Sequence, residues 1–433
     1  MGGLVALTLF GALILAAPIA VALGLAAMAG LVYMSPDFLV LMPQKMLSGV
    51  DSFTLLAIPL FILAGTIMGR GGIARRIVSM ALTMVGRFRG GLGFVVILST
   101  MFFSGVCGSA SADTAAVGSA TMPEMLKRKY PRAFATALLA ASGATASLIP
   151  PSIDLIIIGV VSGVSIGGLF AAGLLPGLFN GLALLALCYY FGRKLDLPIT
   201  DPMHWREKLH VFSEGFLALL MPAIILGGIL GGIFTPTEAS AVAVVYGLIV
   251  SLFVYREIGL ADLPALLLEA GKLTGMVLFV LAAASAFSFV LAFERIPQDL
   301  AAFIIEYARH WMVFVLMVNI MFFLLGMIMD ALPAIIILMP ILVPAGIALG
   351  MDPLHIGIFV AANVSISLFT PPVGVCLYVA CGLSKLPIEA VFRPLLPFLA
   401  VLLMTLMIIS YVPEITIFFP RALGYNIMTD TAP

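Results

Sequence analysis

The sequence predicts an all-α polytopic membrane protein. Of its 433 residues, 63% are hydrophobic and 10% are charged, and the mean hydropathy is +1.22. Soluble domains carry about 25% charged and 45–50% apolar residues. Apolar stretches of span length recur from one end of the chain to the other. These observations exclude a water-soluble enzyme. The balance of 21 basic and 21 acidic residues also excludes a nucleic-acid-binding protein, because phosphate binding needs a basic surplus.

Complete membrane spans are predicted where about 20 apolar residues follow one another, the length that crosses a bilayer as a helix. The predicted spans are Leu4–Met34, Phe53–Gly69, Ala133–Val160, Leu169–Phe191, Phe216–Ile233, Ala239–Tyr255, Leu273–Phe293, Ile356–Cys381 and Leu395–Val412.

Two further apolar stretches, Gly93–Met125 and Val313–Ala345, are too long for one span and too short for two. Small or polar residues interrupt each of them, GVCGSASAD in the first and GMIMDALP in the second. Non-helical backbone is tolerated at membrane depth only where protein or a water-filled cavity surrounds it. We therefore predict two re-entrant helical hairpins.

The basic residues predict the orientation. A cytoplasmic N-terminus places all 21 of them on the cytoplasmic side except Lys45, Arg295, Arg309 and Arg421. This distribution is the one that the positive-inside rule requires. The first hairpin then enters from the cytoplasm and the second from the opposite face.

Opposed hairpins indicate an inverted repeat, and the prolines of the two halves coincide at an ungapped offset of 221 residues. The matching pairs are Pro123 and Pro344, Pro150 and Pro371, Pro151 and Pro372, and Pro176 and Pro397. The first repeat is residues 1–200, with hairpin 93–125 and broken helix 133–160; the second is residues 201–433, with hairpin 313–345 and broken helix 356–381. This pattern is typical of secondary transporters that bind at the repeat interface.

The two Pro-Pro pairs predict broken helices. Proline lacks an amide hydrogen and clashes with the carbonyl four residues earlier, and it pushes the preceding residue out of helical geometry. The carbonyls expected to lose their donors are those of Ala146, Ser147, Ser367 and Leu368. Carbonyl oxygens beside Ser or Thr hydroxyls suit a hard cation such as sodium. The alternative is a simple kink in each helix.

The first hairpin tip, Ser104–Thr114, is dense in Gly, Ser and Ala. A helix that begins there offers amide groups and a positive dipole end to an anion. The candidate substrate ligands are Ser109, Ser111, Asp113 and Thr114. The alternative is that these small residues serve close helix packing.

Three aspartates lie in or beside these elements, Asp113 in the first hairpin, Asp154 after the first proline pair and Asp330 at the second tip. An ionisable group in an apolar span is a functional candidate. Asp330 could instead cap the helix that starts at Leu332-Pro333.

Another unusual string, GGIFTPTEAS (Gly231–Ser240), predicts a helix start with Thr237 as its N-cap and Glu238 in the first turn. A tight turn and a binding role both remain open for it. His204, Trp205 and His210 are expected in a charged loop without a site role.

The strings FTPTEASAVAVVYG, GVCGSASADTAAVGS, LIPPS, GMIMDALPAI and FTPPVG resemble the large membrane subunit of tripartite ATP-independent periplasmic (TRAP) transporters. The resemblance implies a multi-pass bacterial inner-membrane protein and an elevator-type sodium symporter, in which a scaffold carries a transport domain. It also implies a small four-helix membrane subunit and a periplasmic binding protein that delivers an organic acid, such as a C4-dicarboxylate or sialic acid. We expect the small subunit to be a separate polypeptide, because the chain starts directly at its first helix.

Carried over to this sequence, the resemblance implies two sodium sites. The first comprises Ser104, Cys107, Ser147, Pro150 and Pro151. The second comprises Gly326, Asp330, Thr370, Pro371, Pro372 and Gly374. Cys107 departs from the family pattern, which has serine near this position, and a thiol is a poor sodium ligand.

Three other functions are compatible with parts of the sequence. A stand-alone sodium–dicarboxylate symporter usually has Ser-Asn-Thr at both hairpin tips, and the tips CGSASADT and MDALP disfavour it. An intramembrane hydrolase could use Asp113 and Asp330 as a carboxylate pair, but no protease motif accompanies them, so a protein that is not an enzyme is predicted. A passive channel is disfavoured because hairpins from opposite faces favour alternating access.

Overall fold

The structure is a computed structural model that describes residues 2–15, 17–199, 205–296, 298–299, 302, 306, 308, 310–328, 331–372 and 374–425. For positions 106, 107, 205, 206, 328 and 331 it describes the backbone alone. Within these ranges the chain is helical, with turns and short connections but no strand.

The helices of the first half precede residue 200. They are α1 (Gly2–Ile14), α2 (Ile19–Met34), α3 (Leu41–Val50), α4 (Ala57–Arg70), α5 (Ile73–Val85), α6 (Gly91–Cys107), α7 (Ala110–Lys127), α8 (Arg132–Thr145), α9 (Ile153–Ser162) and α10 (Ile166–Lys194). Short 3-10 helices cover Pro36–Val40, Phe53–Leu56 and Ala146–Leu148.

The helices of the second half follow residue 204. They are α11 (Trp205–Leu230), α12 (Pro236–Ile249), α13 (Leu263–Phe293), α14 (Trp311–Ile328), α15 (Ala331–Ala348), α16 (Pro353–Ser367), α17 (Val375–Ser384), α18 (Ile388–Tyr411) and α19 (Glu414–Ala422). A π-helical turn at Val250–Val254 extends α12, and a 3-10 turn at Leu260–Asp262 precedes α13.

Among the described residues, seven helical stretches are long and apolar enough to cross a membrane. They are Phe53–Arg70, Arg132–Ser162, Ile166–Lys194, Glu207–Leu230, Pro236–Val254, Leu260–Phe293 and Ile388–Tyr411. The prediction of an all-α, multi-pass membrane protein is therefore confirmed.

The predicted span Leu4–Met34 is wrong as a single helix. Two helices, Gly2–Ile14 and Ile19–Met34, replace it and pack against each other. Pro18 has extended geometry (φ −55°, ψ 140°), which interrupts the helix before it reaches span length. The first helix has 13 residues, and about 20 are needed to cross the hydrocarbon core.

Other boundaries also differ from the prediction. Trp205 and His210 lie in helix α11 rather than in a loop, and His204 lies outside the described residues. Helices α3, α5 and α19 were not predicted, because they are short and less apolar than the spans.

The N-cap of α12 is Thr235, not Thr237 as predicted. The Thr235 hydroxyl accepts a hydrogen bond from the Glu238 amide, and the Glu238 carboxylate accepts one from the Thr235 amide. Pro236 then occupies the first helical position, where its missing amide hydrogen costs nothing. The Thr-Pro-Thr-Glu string therefore has a structural role as a capping box.

Both predicted hairpins are pairs of consecutive helices in contact, α6 with α7 and α14 with α15. In the first pair Gly108 has left-handed geometry (φ +65°), and Ser109 is extended before α7 begins. Positions 329 and 330, at the tip of the second pair, lie outside the described residues.

Both predicted helix breaks are present. After α8 ends at Thr145, the chain turns and passes through the extended residue Ile149 (ψ 119°) into Pro150-Pro151 before α9 begins. In the second half α16 ends at Ser367 and α17 begins at Val375. The prolines act as expected, because they remove amide donors and force the residue before them out of helical geometry.

The helices pack into two groups. The outer group contains α1–α5 and α11–α13, in which α13 packs on α2, α3 and α4, and α5 packs on α11. The hairpin group contains α6–α10 and α14–α19, in which α7 packs on α8 and α17, and α15 packs on α9 and α16. The two groups meet where α4, α5 and α11 pack on α6, where α5 packs on α7 and where α13 packs on α15.

Candidate substrate and cation site

A cavity of about 530 Å³ lies between the two helix groups. Its outer-group wall comes from α4 and α13, including Thr66, Arg70 and Glu269. Its hairpin-group wall is formed by residues 108–112 of the first tip, by the start of α9, and by Leu368 and Val375 of the second break. This volume lies within the range of about 300–1,000 Å³ that is usual for small-molecule sites.

The first tip is held against the first helix break. The Gly108 carbonyl oxygen accepts a hydrogen bond from the Ile153 amide at 3.1 Å. A Cβ at Gly108 would lie 2.7 Å from the Pro151 carbonyl oxygen. Glycine is needed here for two reasons, its left-handed backbone and this close approach of two backbone segments.

Ser104 ties the first hairpin arm to the same break. Its hydroxyl is fully buried, donates to the Ala146 carbonyl oxygen and lies 3.4 Å from the Ile149 carbonyl oxygen. A Cβ added at Gly105 would lie 3.5 Å from the Pro150 carbonyl oxygen. Ser104, Pro150 and Pro151, three members of the first predicted sodium set, thus lie close together at this break.

Two members of that set need separate mention. The Ser147 hydroxyl is buried and donates to the Ala144 carbonyl oxygen at 3.1 Å, which leaves its own oxygen lone pairs for another partner. The side chain of Cys107 lies outside the described part of the chain.

The second break has comparable backbone features. The Thr370 hydroxyl donates to the Ile366 carbonyl oxygen at 2.8 Å, and the Gly374 amide donates to the Thr370 carbonyl oxygen at 3.1 Å. Gly326 of α14 lies so close to Ser367 that an added Cβ would overlap the Ser367 Cβ.

The rest of the second predicted sodium set is less complete. Pro371 and Pro372 lie in the described turn, and Asp330 lies outside the described residues. The structure therefore places Gly326 beside this break and leaves the aspartate unassigned.

The prediction that the breaks leave their carbonyls without donors is wrong for three of the four. The Ala146 oxygen accepts from the Ile149 amide at 3.1 Å as well as from Ser104. The carbonyl oxygen of Ser367 accepts from the Thr370 amide at 3.1 Å, and that of Leu368 accepts from the Cys376 amide at 2.9 Å. The chain turns back after each break and supplies new donors. A carbonyl oxygen has two lone pairs, however, so it can still face a cation.

The four candidate substrate residues divide between two faces of the tip. Ser109 and Ser111 line the cavity, with their hydroxyl oxygens 3.4 Å apart. Asp113 and Thr114 do not line it, and both are fully buried. The Thr114 hydroxyl donates to the Ala110 carbonyl oxygen, and Thr114 packs on Gly143 of α8. Asp154, the third aspartate candidate, does line the cavity.

The outer wall also contains a charged pair that was not predicted from the sequence. Arg70 and Glu269 form an ion pair with an N···O distance of 2.7 Å, and both side chains are about half exposed, at 55% and 45%. Both residues line the cavity. In the sequence Arg70 directly follows an apolar span, a position typical of a basic residue at the cytoplasmic end of a membrane helix, so no local pattern distinguishes it as a cavity residue.

A polytopic helical protein with a largely apolar cavity that also carries hydroxyl and charged side chains has the architecture expected of a membrane transporter. The chain matches the family model described as "Tripartite ATP-independent periplasmic transporter, DctM component" over residues 6–415. It therefore belongs to this family of TRAP large permease proteins, and the resemblance noted in the sequence is confirmed.

Individual relatives agree with this assignment. The C4-dicarboxylate TRAP transporter large permease protein DctM of Pseudomonas aeruginosa is 41% identical over 93% of this chain and 95% of its own. The sialic acid TRAP transporter large permease protein SiaM of Vibrio cholerae is 38% identical over 88% of this chain and 90% of its own.

Among solved structures, the YdaH transporter of Alcanivorax borkumensis is similar in fold. The match has a TM-score of 0.55 at 14% identity and covers 90% of this chain and 91% of that one.

Proposed function

We propose that this large permease carries an organic acid across a bacterial inner membrane together with sodium ions. The observation that carries the proposal is the cavity wall, where the hydroxyl-rich first tip meets the residues that follow both helix breaks. Hydroxyl groups and carbonyl oxygens of interrupted helices bind sodium, and helix N-termini bind carboxylates. In this cavity, residues of the helix breaks lie next to the hydroxyl groups and the N-terminus of α7 at the first tip.

Two sodium sites are proposed at the breaks. The first uses Ser104, Ser147, Pro150 and Pro151 with the backbone at Cys107, and the second uses Gly326, Asp330, Thr370, Pro371, Pro372 and Gly374. Support for the first comes from Ser104, whose buried hydroxyl already faces two carbonyl oxygens of the break. Support for the second comes from the close contact of Gly326 with Ser367.

An inverted repeat, residues 1–200 and 201–433, is proposed as the basis of this pairing. Helices α7 and α15 begin 221 residues apart, as do α8 and α16. The Ser365 hydroxyl donates to the carbonyl oxygen of Ala144, and these two positions are also 221 residues apart. Equivalent residues of a two-fold repeat meet where they lie on its axis, so this contact supports a pseudo-two-fold axis between the broken helices.

The substrate is proposed to be an organic acid held at Ser109 and Ser111. The curated relatives are named for a C4-dicarboxylate and for sialic acid, which share a carboxylate group. The first turn of α7 begins at Ala110, so its amide groups and the two hydroxyls can approach such an anion from one side. Asp113 and Thr114 would then support the tip from behind rather than bind the substrate.

An elevator movement is proposed, with the outer group as scaffold and the hairpin group as transport domain. A carboxylate with its sodium ions is nearly neutral, whereas either alone leaves unpaired charge in a low-dielectric setting at a cost of several kcal/mol. The loaded and the empty transport domain can therefore cross, while partly loaded states cannot. A small four-helix subunit would complete the scaffold, and a periplasmic binding protein would deliver the acid.

Reconstitution tests this function. Proteoliposomes that contain this chain and its small subunit are expected to take up succinate or N-acetylneuraminate only with an inward sodium gradient and with the binding protein outside. Uptake without sodium would contradict the proposed coupling. Uptake by this chain alone would favour a stand-alone sodium–dicarboxylate symporter.

A further inference from the structure

The Arg70–Glu269 pair is the feature of the cavity that the proposed function leaves without a role. Arg70 ends α4 and Glu269 lies in the second turn of α13, so both belong to the outer group. Three charged side chains line the cavity within the described residues, and Arg70 is the cation among them, with Glu269 and Asp154 as the acids. An organic anion that enters this space meets one guanidinium and two carboxylates.

The geometry of the Arg70–Glu269 ion pair allows the arginine to exchange one carboxylate for another. Its N···O distance of 2.7 Å joins groups that are each about half exposed, and exposed ion pairs contribute little to stability. A guanidinium presents a planar fork of donors that fits any carboxylate. A carboxylate of the substrate can therefore displace that of Glu269 at little cost, since one hydrogen-bonded ion pair replaces another.

We propose that Arg70 binds the carboxylate of the organic acid at the mouth of the cavity and that Glu269 competes with it for the guanidinium. Arg70 strengthens binding on this side of the membrane, and Glu269 limits that strength so that the acid leaves. This inference rests on the proposed function, because it assigns to the same cavity a residue that recognises the substrate class.

The position of the pair on the outer group separates it from the hydroxyls of the tip. Ser109 and Ser111 belong to the hairpin group and would move with the substrate, whereas Arg70 would stay behind. Arg70 therefore acts in the conformation seen here and not in its alternate. The sequence-based orientation places this mouth on the cytoplasmic side, so the pair would govern release.

Counterflow in proteoliposomes that contain the two membrane subunits tests the proposal, with labelled succinate and N-acetylneuraminate as probes. The half-saturating concentration is measured on the side that Arg70 faces. Arg70→Gln is expected to raise it about tenfold, and Arg70→Lys by a smaller factor, because lysine keeps the charge without the bidentate fork. Glu269→Gln is expected to lower it several-fold. The half-saturating sodium concentration is expected to stay unchanged in all three.

The double variant Arg70→Gln/Glu269→Gln distinguishes substrate binding by Arg70 from neutralisation of the Glu269 charge. We expect it to bind as weakly as Arg70→Gln. A return to wild-type affinity would overturn the proposal, because it would show that Arg70 only offsets the charge of Glu269.

The matched control is Arg89→Gln. Arg89 is 56% exposed and pairs with Asp196 at 2.8 Å, but it does not line the cavity, so wild-type kinetics are expected. An equal effect of Arg89→Gln and Arg70→Gln would also overturn the inference. Absence of sodium-driven uptake by the wild-type complex would instead contradict the proposed function, and the two failures are thus distinguishable.

Discussion

At the scale of single residues, the helical period explains which part of the site could be predicted. Ser109 and Ser111, two of the substrate ligands predicted from the composition of the first tip, line the cavity. Asp113 and Thr114 belong to the same string, but α7 turns about 100° per residue and carries them to the opposite, buried face. The Arg70–Glu269 pair could not be predicted, because it joins residues far apart in sequence on helices whose packing no local pattern specifies.

Ser104 provides the sharpest test of the first sodium site. Ser104→Ala is expected to raise the half-saturating sodium concentration about fivefold to tenfold, since a hydrogen-bonding hydroxyl contributes about 1 kcal/mol. The measurement is sodium-dependent uptake in proteoliposomes.

The control for Ser104 is Ser142→Ala, because the buried Ser142 hydroxyl bonds only within its own helix, to Leu138, among the hydrogen bonds of the described residues. Equal sodium dependence of the two variants would remove Ser104 from the site.

Asp330 provides the corresponding test of the second site. Its charge would hold a cation at the second tip, so Asp330→Ala is expected to abolish transport while the protein still folds and assembles. Uptake and size-exclusion chromatography of the complex measure the two effects. Transport at the wild-type rate with unchanged sodium dependence would show that the second site lies elsewhere.

At the scale of helices, the positions of the prolines were the most reliable predictors of where helices are interrupted. The breaks after Thr145 and Ser367 follow directly from missing amide donors and restricted residues before proline. Pro18 has the same effect on the first predicted span, but the long apolar run around it concealed the interruption. What the sequence could not supply was the hydrogen bonding after each break, because donors such as the Cys376 amide arrive from the returning chain.

The second proline pair can be tested as an element. Pro371→Ala/Pro372→Ala is expected to abolish sodium-driven transport, because it permits the helix to continue and reorients the carbonyls of the break. The matched control is Pro394→Ala/Pro397→Ala in α18, a helix that stays continuous through both prolines. Uptake of the two double variants is compared, and retained sodium-coupled uptake by the first would show that the break is dispensable.

The contact between α14 and α16 predicts a compensating pair of substitutions. Gly326→Ala is expected to lower thermal stability markedly, because its Cβ would overlap the Ser367 side chain and overpacking costs about 1–3 kcal/mol. Gly326→Ala/Ser367→Gly removes the overlapping atoms and is expected to regain most of the lost stability. Unfolding temperatures in detergent measure both, and a double variant no more stable than the single one would contradict this packing.

At the scale of the whole molecule, hydropathy and composition were sufficient for the fold class but not for the division into two helix groups. That division depends on contacts such as α13 with α2, α3 and α4, and these helices are distant in sequence. A repeat can be found by matching prolines, whereas the surface along which two groups slide depends on which apolar faces meet.

Cross-linking tests whether the two groups move against each other. Gly105 in the hairpin group faces Pro222 in the outer group, and a Cβ at Gly105 would lie 2.9 Å from the Pro222 Cβ. In a background that lacks the native cysteines, Gly105→Cys/Pro222→Cys is expected to stop transport when oxidised and to recover when reduced.

Met80 and Gly215 touch within the outer group, so oxidised Met80→Cys/Gly215→Cys is the control and is expected to stay active. Continued transport by the oxidised Gly105–Pro222 pair would contradict relative movement at this contact.

The outer-group position of Arg70 also has an electrical consequence. If the guanidinium stays in the scaffold while the acid and its sodium ions cross, the arginine contributes nothing to the charge displaced in each cycle. The current per transported molecule is then set by the substrate and the cations alone. Removing Arg70 would change how tightly the acid is held, but the reversal potential of the transporter would stay where the ion stoichiometry puts it.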